Sequence, residues 1–482
     1  MDALLSTGAL PASGAGYDIG NSVKLETGNN EWFYRASPTA GNRRTFTFSF
    51  WIKRTTLGNP TASGTMYVAG QGQHGRMYFT SDYFGFRFDD GHDTRDITTK
   101  HRDPAAWLHV VVAVDTNQSS SSDRVKIYFN GVQTTTIDFD GGSYPDIQDQ
   151  ASGWFTTNYL TVGTAPFGGS YNVGDGDYDM SGYLAEFCAV DGQQLAPTDF
   201  GEFDSDSGIW KPKDVSGINF GSEGYYLNFA DAADLGDDES GNGNDFTENN
   251  LAAVDQATDT CTNNFCIINP LFKYPSSQVI SEGGTKVARS SGSGLNKTFL
   301  GTIPVNGGKW YAEFEPIESN SNYVPGVVDT TDASSVSLDG EHIGNSTGIP
   351  KSIGYYSATG GVLAGGNAAN GAWGDTFTAD DIIGVALDMD NRKVYFSKNG
   401  TFQNSSDPTN GTNAITLTNT TDPYLFGFTY DTSGNMYCNF GGYTVSSLSS
   451  SASDENGYGS FEYAPPSGYL ALCTKNLATT GG

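Results

Sequence analysis

The chain has 482 residues, of which 62 are glycine, 26 tyrosine and 29 phenylalanine, while only 17% are charged. Its 55 acidic and 25 basic residues give a formal net charge of −30. This balance argues against nucleic acid and anionic membranes as partners, because phosphate binding needs clustered Lys and Arg. No long segment places apolar residues at i, i+3, i+4 and i+7, so few helices are expected. We therefore predict an all-β protein with two antiparallel β-sandwich (jelly-roll) domains in series and an ordered connector between them.

Residues 1–16 are predicted to form a flexible arm, and residues 17–213 the first sandwich. The clearest strand, Thr45–Lys53 (TFTFSFWIK), places Phe46, Phe48 and Phe50 on one face because side chains alternate along a strand. Turn signals recur about every ten residues, as in a sandwich or jelly roll. The other predicted strands of this domain are Val23–Leu25, Trp32–Tyr34, Met66–Val68, Met77–Thr80, Phe84–Phe88, Trp107–Asp115, Val125–Phe129, Leu160–Gly163 and Tyr183–Val190.

Residues 214–275 are the predicted connector, in which turn residues are dense but the aromatic residues and the pair Ile267–Ile268 indicate packing. The second sandwich is predicted over residues 276–476, followed by a tail over 477–482. Its clearest feature is a hairpin in which Ile382–Leu387 and Val394–Ser397 flank a turn rich in Asp and Asn. Its other predicted strands are Ser291–Phe299, Lys309–Glu315, Val324–Val328, Ser352–Tyr356, Tyr424–Thr429 and Met436–Phe440.

Cysteine usage and the apolar segments bear on the compartment of the protein. The five cysteines are Cys188, Cys261, Cys266, Cys438 and Cys473. Buried free thiols are expected, with a local disulfide between Cys261 and Cys266 as the alternative. The N-terminal residues lack the basic region of a signal peptide, and no stretch of 18 apolar residues is present, so neither an export signal nor a membrane helix is expected.

Four segments of the first domain resemble the laminin-G-like members of the concanavalin A-type jelly rolls. They are Phe46–Arg54, Trp107–Asp115, Val125–Val132 and Gly182–Phe203. The last domain resembles a SPRY (B30.2-type) domain through KWYAEFE at 309–315, GYY at 354–356, the hairpin at 382–400 and the closing PPSGY at 465–469. This order of domains resembles structural proteins of tailed phages, marine ones in particular.

The resemblance implies a structural protein of a phage virion, in a fibre, a spike or a capsid decoration, whose lectin-like domains attach to carbohydrate on the host surface. It implies other virion proteins as partners and a homo-oligomer. A virion protein is made in the host cytoplasm and released by lysis, so the expected location is the virion surface, without a signal peptide. A purely structural decoration that binds no ligand, and a polysaccharide-degrading glycosidase of jelly-roll type, are the alternatives.

The first candidate calcium site is the acidic turn with Asp175, Asp177 and Asp179, since calcium prefers carboxylate oxygens. Together with Glu186 these residues have the spacing of an EF-hand loop. However, Met180 replaces the glycine that the sharp turn of that loop needs, and Glu186 falls within a predicted strand. A simpler turn-bound calcium is therefore predicted, with solvated carboxylates as the alternative.

The second candidate calcium site is the segment 237–245, DDESGNGND, which offers Asp237, Asn242 and Asp245 as oxygen ligands around two glycines. The alternative is a set of Asx turns that holds the connector in shape. Calcium is the one cofactor that the sequence suggests.

Seven residues are candidates for binding a ligand. Aromatic rings in loops suit sugars, which stack their apolar faces on rings. The sequence His92, Asp93 and Arg95 combines charges in a predicted loop. The complete candidate set is Tyr171, Tyr178, His92, Asp93, Arg95, Tyr356 and Trp373.

No catalytic residues are predicted, and the protein is not expected to be an enzyme. A jelly-roll glycosidase needs two carboxylates on one strand face, in a pattern such as E-x-D-x-x-E, and no such pattern is present. The nearest pair, Glu313 and Glu315, is expected on the solvent side of its strand. Neither a Ser-His-Asp grouping nor a phosphate-binding loop can be argued from the spacing.

Overall fold

The computed structural model describes residues 16–37, 39–58, 65–89, 91–96, 98–139, 147–166, 179–272, 278–289, 297–319, 321–335, 342–344, 348–365, 373–430, 434–445 and 448–480. The chain forms two compact units, of which the first ends at Thr262 and the second begins at Asn263.

Short strands dominate the first unit. In its described residues the strands are, in chain order, β1 (Ser22–Leu25), β2 (Trp32–Arg35), β3 (Thr45–Arg54), β4 (Thr65–Gln71), β5 (Gly75–Thr80), β6 (Tyr83–Arg87), β7 (Asp93–Asp96), β8 (Leu108–Asp115), β9 (Val125–Phe129), β10 (Val132–Gln133), β11 (Ile137–Phe139), β12 (Leu160–Val162), β13 (Gly182–Asp191), β14 (Gly201–Phe203), β15 (Trp210–Pro212), β16 (Tyr225–Leu227), β17 (Thr247–Asn249) and β18 (Gln256–Ala257). Single 3-10 turns lie at Thr27–Asn29, Ser121–Asp123, Pro197–Asp199 and Ala253–Asp255.

These strands build two large antiparallel sheets. One has the order β10-β9-β8-β3-β13-β1-β18, with β16 also pairing with β13, and the other has the order β11-β7-β6-β5-β4-β12-β2-β17. The alternation predicted for β3 is confirmed, because Phe46, Phe48 and Phe50 enter a core that also contains Met77 and Phe86 of the opposite sheet. The first unit is therefore a β-sandwich.

The predicted connector adds strands to the first sandwich. Within residues 214–262, β16 pairs with β13, β17 with β2 and β18 with β1. Two buried ion pairs fasten the end of this segment: the Nζ of Lys53 lies 2.7 Å from Asp259, and the Nζ of Lys24 lies 2.9 Å from Asp255. The remaining residues of the segment, from Asn263, belong to the second unit.

The second unit is also built from strands. In its described residues they are β19 (Gln278–Ser281), β20 (Lys286–Arg289), β21 (Lys297–Leu300), β22 (Lys309–Pro316), β23 (Tyr323–Asp329), β24 (Ile353–Tyr356), β25 (Gly361–Ala364), β26 (Ile383–Asp388), β27 (Lys393–Lys398), β28 (Thr401–Phe402), β29 (Ile415–Thr416), β30 (Tyr424–Tyr430), β31 (Met436–Asn439) and β32 (Leu470–Ala471). Its helices are α1 (Thr330–Ser335) and α2 (Thr474–Thr480), and 3-10 turns lie at Glu282–Gly284 and Gln403–Ser405.

Two sheets enclose the core of the second unit. One has the order β19-β20-β31-β22-β26-β27-β28, with β29 on β27 and β32 parallel to β22, and the other has the order β21-β30-β23-β24-β25. Trp310 and Phe428, one from each sheet, are fully buried in the same cluster. Residues 477–480, within the predicted tail, belong to α2, whose Leu477 packs in that cluster.

The all-β prediction with two antiparallel sandwiches is confirmed. Helix is confined to the two short segments α1 and α2 in the part of the chain that the structure describes. Among the described helices, none is long and apolar enough to cross a membrane. All five cysteines are free thiols, and Cys261 and Cys266, considered above as a disulfide pair, lie in different units.

Candidate functional site

A cavity of about 240 Å³ lies at one end of the first sandwich, where β3 ends, β8 begins and β9 ends. We call it the cationic cleft. Residues at the ends of a sandwich are free of the packing demands of the core, and binding residues concentrate there. The cleft is lined by Ile52, Arg54, Lys100, His101, Arg102, Asp103, Ala106, Trp107, Leu108 and Asn130.

A tight hairpin turn organises one wall of the cleft. Between β5 and β6, Ser81 and Asp82 have φ angles of 49° and 71°, as a two-residue type I′ turn requires. The carbonyl oxygen of Asp82 accepts the N–H of His101 at 3.0 Å, which holds the segment before β8 against the turn. The carboxylate of Asp82 therefore sits beside the arginines of the cleft.

Asp82 binds two arginines with its two carboxylate oxygens. The Nη2 of Arg54 lies 3.3 Å from Oδ1, and the Nε of Arg102 lies 3.2 Å from Oδ2. The side chain of Arg54 is 4% exposed, whereas that of Arg102 is 51% exposed. Arg54 is thus part of the wall, and Arg102 reaches from the rim towards solvent.

Arg54 keeps a donor without a partner. Its Nη1 donates to the carbonyl oxygen of His101 at 2.9 Å, and its Nη2 donates to that of Thr56 at 3.3 Å. Its Nε is buried and has no hydrogen-bond partner. Burial lowers the pKa of this guanidinium to about 10, while Asp82 opposes that change, so the group stays charged at neutral pH.

The apolar part of the lining includes Trp107, which a buried hydrogen bond holds in place. Trp107 is 8% exposed, and its indole N–H donates to Asp259 at 3.0 Å. The same carboxylate holds the ammonium of Lys53, so the position of Trp107 depends on a residue of the predicted connector. The cleft therefore combines a rigid aromatic wall with cationic groups.

The structure places His92 and Asp93 at the start of β7, away from the lining of the cleft. Asp93 accepts the hydroxyl of Tyr78 at 2.7 Å, and the Nδ1 of His92 lies 2.7 Å from Asp89. Tyr78 also contacts Tyr67, with 5.7 Å between ring centroids. Arg95 belongs to β7, but its side chain lies outside the described residues. The carboxylate of Asp93 therefore already accepts a hydrogen bond from Tyr78, on the outer face of its sheet.

Tyr356 and Trp373 lie in the second unit and take part in packing. Tyr356 is half-buried at the end of β24, beside the fully buried Tyr355. Trp373 makes edge-to-face contacts with Tyr355 at 5.4 Å and with Phe396 at 6.1 Å. Its ring therefore closes part of the core in this structure.

In the first acidic turn, Tyr171, Asp175, Asp177 and Tyr178 lie outside the described residues. Asp179 is described and is 2% exposed. Glu186, at the last position of the EF-hand spacing, lies in β13 as predicted, where it has a φ of 50° and accepts the hydroxyl of Tyr226 at 2.7 Å.

In the second acidic turn, Asp238 organises the loop. Its carboxylate accepts the backbone N–H groups of Tyr226 and Asn244, both at 2.8 Å. Asp237, Asn242 and Asp245 are exposed; Asn242 donates to the carbonyl oxygen of Gly221 at 2.6 Å, and Asp245 accepts the N–H of Asp238 at 3.2 Å. Within the described ranges no three His, Cys, Asp or Glu side chains are grouped so as to hold a metal ion.

The carboxylates of β22 depart from the expectation of a solvent-facing pair. Glu313 is 3% exposed and accepts the backbone N–H groups of Glu462 and Tyr463, both at 2.9 Å. Burial raises the pKa of Glu313 to about 7, although these hydrogen bonds act in the opposite direction and lower it. Glu313, Glu315 and Glu462 line a cavity of about 30 Å³, which has room for about one water molecule.

Most lining residues of the cationic cleft are not predicted from the sequence, which predicts only the nearby strands. The lining comes from positions 52–54, 100–108 and 130, and ion pairing with Asp82 becomes visible only once the sheets are assembled. One signal was present in the sequence: Lys100, His101 and Arg102 are three consecutive basic residues in a strongly acidic chain.

Comparison with known proteins gives one family match and a likeness to solved structures. Residues 27–187 match the family described as "Concanavalin A-like lectin/glucanases superfamily". One similar solved structure is the crystal structure of the SPRY domain of human HERC1, with 18% sequence identity and a TM-score of 0.26 over 34% of this chain and 92% of that chain. No curated protein matches the chain. The first unit thus contains a domain of the concanavalin A-like jelly-roll type.

Proposed function

We propose that the protein is a structural component of a phage virion that attaches to host-surface carbohydrate through its first sandwich. The observation that carries the binding role is the cationic cleft, which lies in the unit that matches the lectin and glucanase superfamily. The location at the virion surface and the homo-oligomer rest on the resemblance of the domain order to phage structural proteins. Repetition of one weak site over many copies would then supply avidity.

The composition of the cleft favours binding without catalysis. Glycoside hydrolysis needs two carboxyl groups on either side of the scissile bond. Among the ten lining residues, Asp103 is the one carboxylate, and its Oδ1 accepts the N–H of Ala105 at 2.9 Å. The cavity lined by Glu313, Glu315 and Glu462 has a volume of about 30 Å³, which has room for about one water molecule and too little for a sugar.

Glycan-array binding by the full chain tests the carbohydrate role. The exposed Arg102 is replaced in Arg102→Ala, and Arg44→Ala is the matched control, because Arg44 is an exposed arginine beside the other end of β3. We expect glycan binding that Arg102→Ala weakens and Arg44→Ala leaves unchanged. Silence of the wild-type chain on all host glycans would leave only the structural role.

Electron microscopy of particles tests the virion role separately. Antibodies to the second unit should label the surface of intact particles at regular positions. If the antibodies did not label purified particles, the virion role would be contradicted, whatever the result of the glycan array.

Calcium at the first acidic turn is a separate proposal, carried by the spacing of Asp175, Asp177 and Asp179. Titration calorimetry with calcium should then show one site, which Asp177→Asn removes and Asp237→Asn does not. An unchanged calcium isotherm in Asp177→Asn would contradict this assignment.

A further inference from the structure

We propose that the cationic cleft binds an acidic sugar residue, carrying a carboxylate or a sulfate group, within a host polysaccharide. This inference rests on the proposed carbohydrate-binding function and names the class of ligand for the same site. The ligand is inferred from three properties of the cleft: its charge, its unsatisfied hydrogen-bond donors and its apolar wall.

The charge of the cleft is opposite to that of the chain. The protein has 55 acidic and 25 basic residues, yet the lining contains Arg54, Lys100 and Arg102 against the single carboxylate of Asp103. Such an inversion places a local positive potential inside a negative surface. An anionic group gains from this potential only when it enters the cleft.

The carboxylate of Asp82 does not neutralise all the cationic groups of the cleft. Asp82 is 5% exposed and contacts the Nη2 of Arg54 and the Nε of Arg102, and the side chain of Arg102 remains 51% exposed to solvent. Lys100 is exposed, makes no ion pair among the described residues, and holds its ammonium 4.8 Å from the ring centre of Tyr83. Two cations at the rim are therefore available to a ligand.

The hydrogen-bonding groups of the cleft are mainly donors. The Nε of Arg54 is buried without a hydrogen-bond partner, and a buried donor that lacks an acceptor destabilises the fold. The Oδ1 of Asn130 accepts the N–H of His109 at 2.8 Å, which leaves the amide NH₂ of Asn130 to donate. A carboxylate or sulfate offers acceptors only and matches this arrangement.

The shape of the cleft suits a ring that carries the anion. Its volume of about 240 Å³ lies near the lower end of ligand pockets, at roughly 300 Å³. Trp107, Ile52 and Leu108 provide the apolar side of the lining, which inorganic sulfate would leave uncontacted. The wall thus favours a sugar residue over a free anion of the same charge.

A purely structural role for the arginines predicts a different result. If Arg54 and Arg102 served only to fix the turn at Asp82, their replacement would lower thermal stability and leave ligand choice unchanged. Lys100 separates the two roles, since it holds no carboxylate among the described residues.

The experiment compares oligogalacturonate with its methyl ester, which has the same backbone without the charges, by titration calorimetry on the full chain. Dextran sulfate and dextran provide a second matched pair, in which the sulfate groups are the one source of charge, and sodium sulfate is the free anion. We expect at least a tenfold preference for one charged member over its uncharged counterpart. Lys100→Gln with Arg102→Gln should reduce that binding at least tenfold, while Arg44→Gln has no effect.

The outcomes separate this inference from the proposed function. Binding of uncharged glycans with no preference for acidic ones would overturn the inference and leave the carbohydrate role standing. Acid preference that survives Lys100→Gln with Arg102→Gln in a folded chain would place the site elsewhere and overturn it as well. Sulfate that binds as tightly as the oligosaccharides would show an anion site without sugar recognition, and this result would overturn the inference too. Absence of binding to every glycan would refute both proposals.

Discussion

The buried ion pair between Lys53 and Asp259 allows a sharp test of how the first unit is held together. Their side chains are 0% and 1% exposed, and the Nζ of Lys53 lies 2.7 Å from the carboxylate. Asp259→Ala leaves a buried ammonium without this partner, and removing one member of a buried pair costs about 3–5 kcal/mol. For a unit of this size, we expect the melting temperature to fall by about 10 °C, at roughly 2–4 °C per kcal/mol.

Two further variants distinguish charge from packing in calorimetric unfolding of the full chain. Asp259→Asn keeps an acceptor for the indole N–H of Trp107, so its loss of stability should be smaller. Lys53→Met combined with Asp259→Leu removes both charges, and such replacements are often neutral. Asp237→Ala, an exposed position of the same segment, is the control. If Asp259→Ala changed stability by no more than Asp237→Ala, the pairing described for residues 214–262 would be refuted.

Two predictions concern the second unit. The pKa of Glu313 is about 7 in the folded chain against an ordinary 4.5, so its contribution to stability is complete below pH 4.5 and is lost as pH rises through 7. At 1.36 kcal/mol per pKa unit, the loss in free energy of unfolding is about 3 kcal/mol. Glu313→Gln should remove this dependence of stability on pH. Faster amide exchange of residues 462–463 at low pH would contradict the prediction. A Cβ added to Gly326 would lie 2.1 Å from the carbonyl oxygen of Ile353, so Gly326→Ala should cost about 1–3 kcal/mol in chemical denaturation. Gly217→Ala, with no atom within 4 Å of the added Cβ, should cost far less, and equal losses would refute the close strand approach.

The long central strands could be predicted from the sequence because alternation and turn residues act locally. The predicted Val125–Phe129 coincides with β9, and Thr45–Lys53 differs from β3 by one residue. The two- and three-residue strands β10, β16 and β18 were missed, since so short a run carries no alternation. They form because an edge of an existing sheet offers unpaired backbone groups, which is a property of the assembled fold.

The site was harder to predict than the fold because its residues are brought together across long stretches of chain. Lys53 and Asp259 are 206 residues apart, and no local pattern relates them. The sequence predicts Trp373 as a ligand-binding residue because aromatic rings in loops suit sugars, yet its ring packs against Tyr355. Composition identifies aromatic and charged residues, whereas burial decides which of them can meet a ligand.

The opposition between a cationic cleft and an acidic chain makes ionic strength informative. At 0.01 M salt, electrostatic forces reach about 30 Å. The net charge of −30 should therefore repel an acidic oligosaccharide and lower its affinity. At 0.15 M they reach about 8 Å, and at 1 M about 3 Å, so the intermediate condition screens the surface while the contacts at Lys100 and Arg102 persist. We therefore expect the affinity for acidic oligosaccharides to pass through a maximum as salt increases. An affinity measured by titration calorimetry that falls steadily from 0.01 M upwards would mean that the surface charge does not oppose binding, because the ligand would then be sensing cations alone.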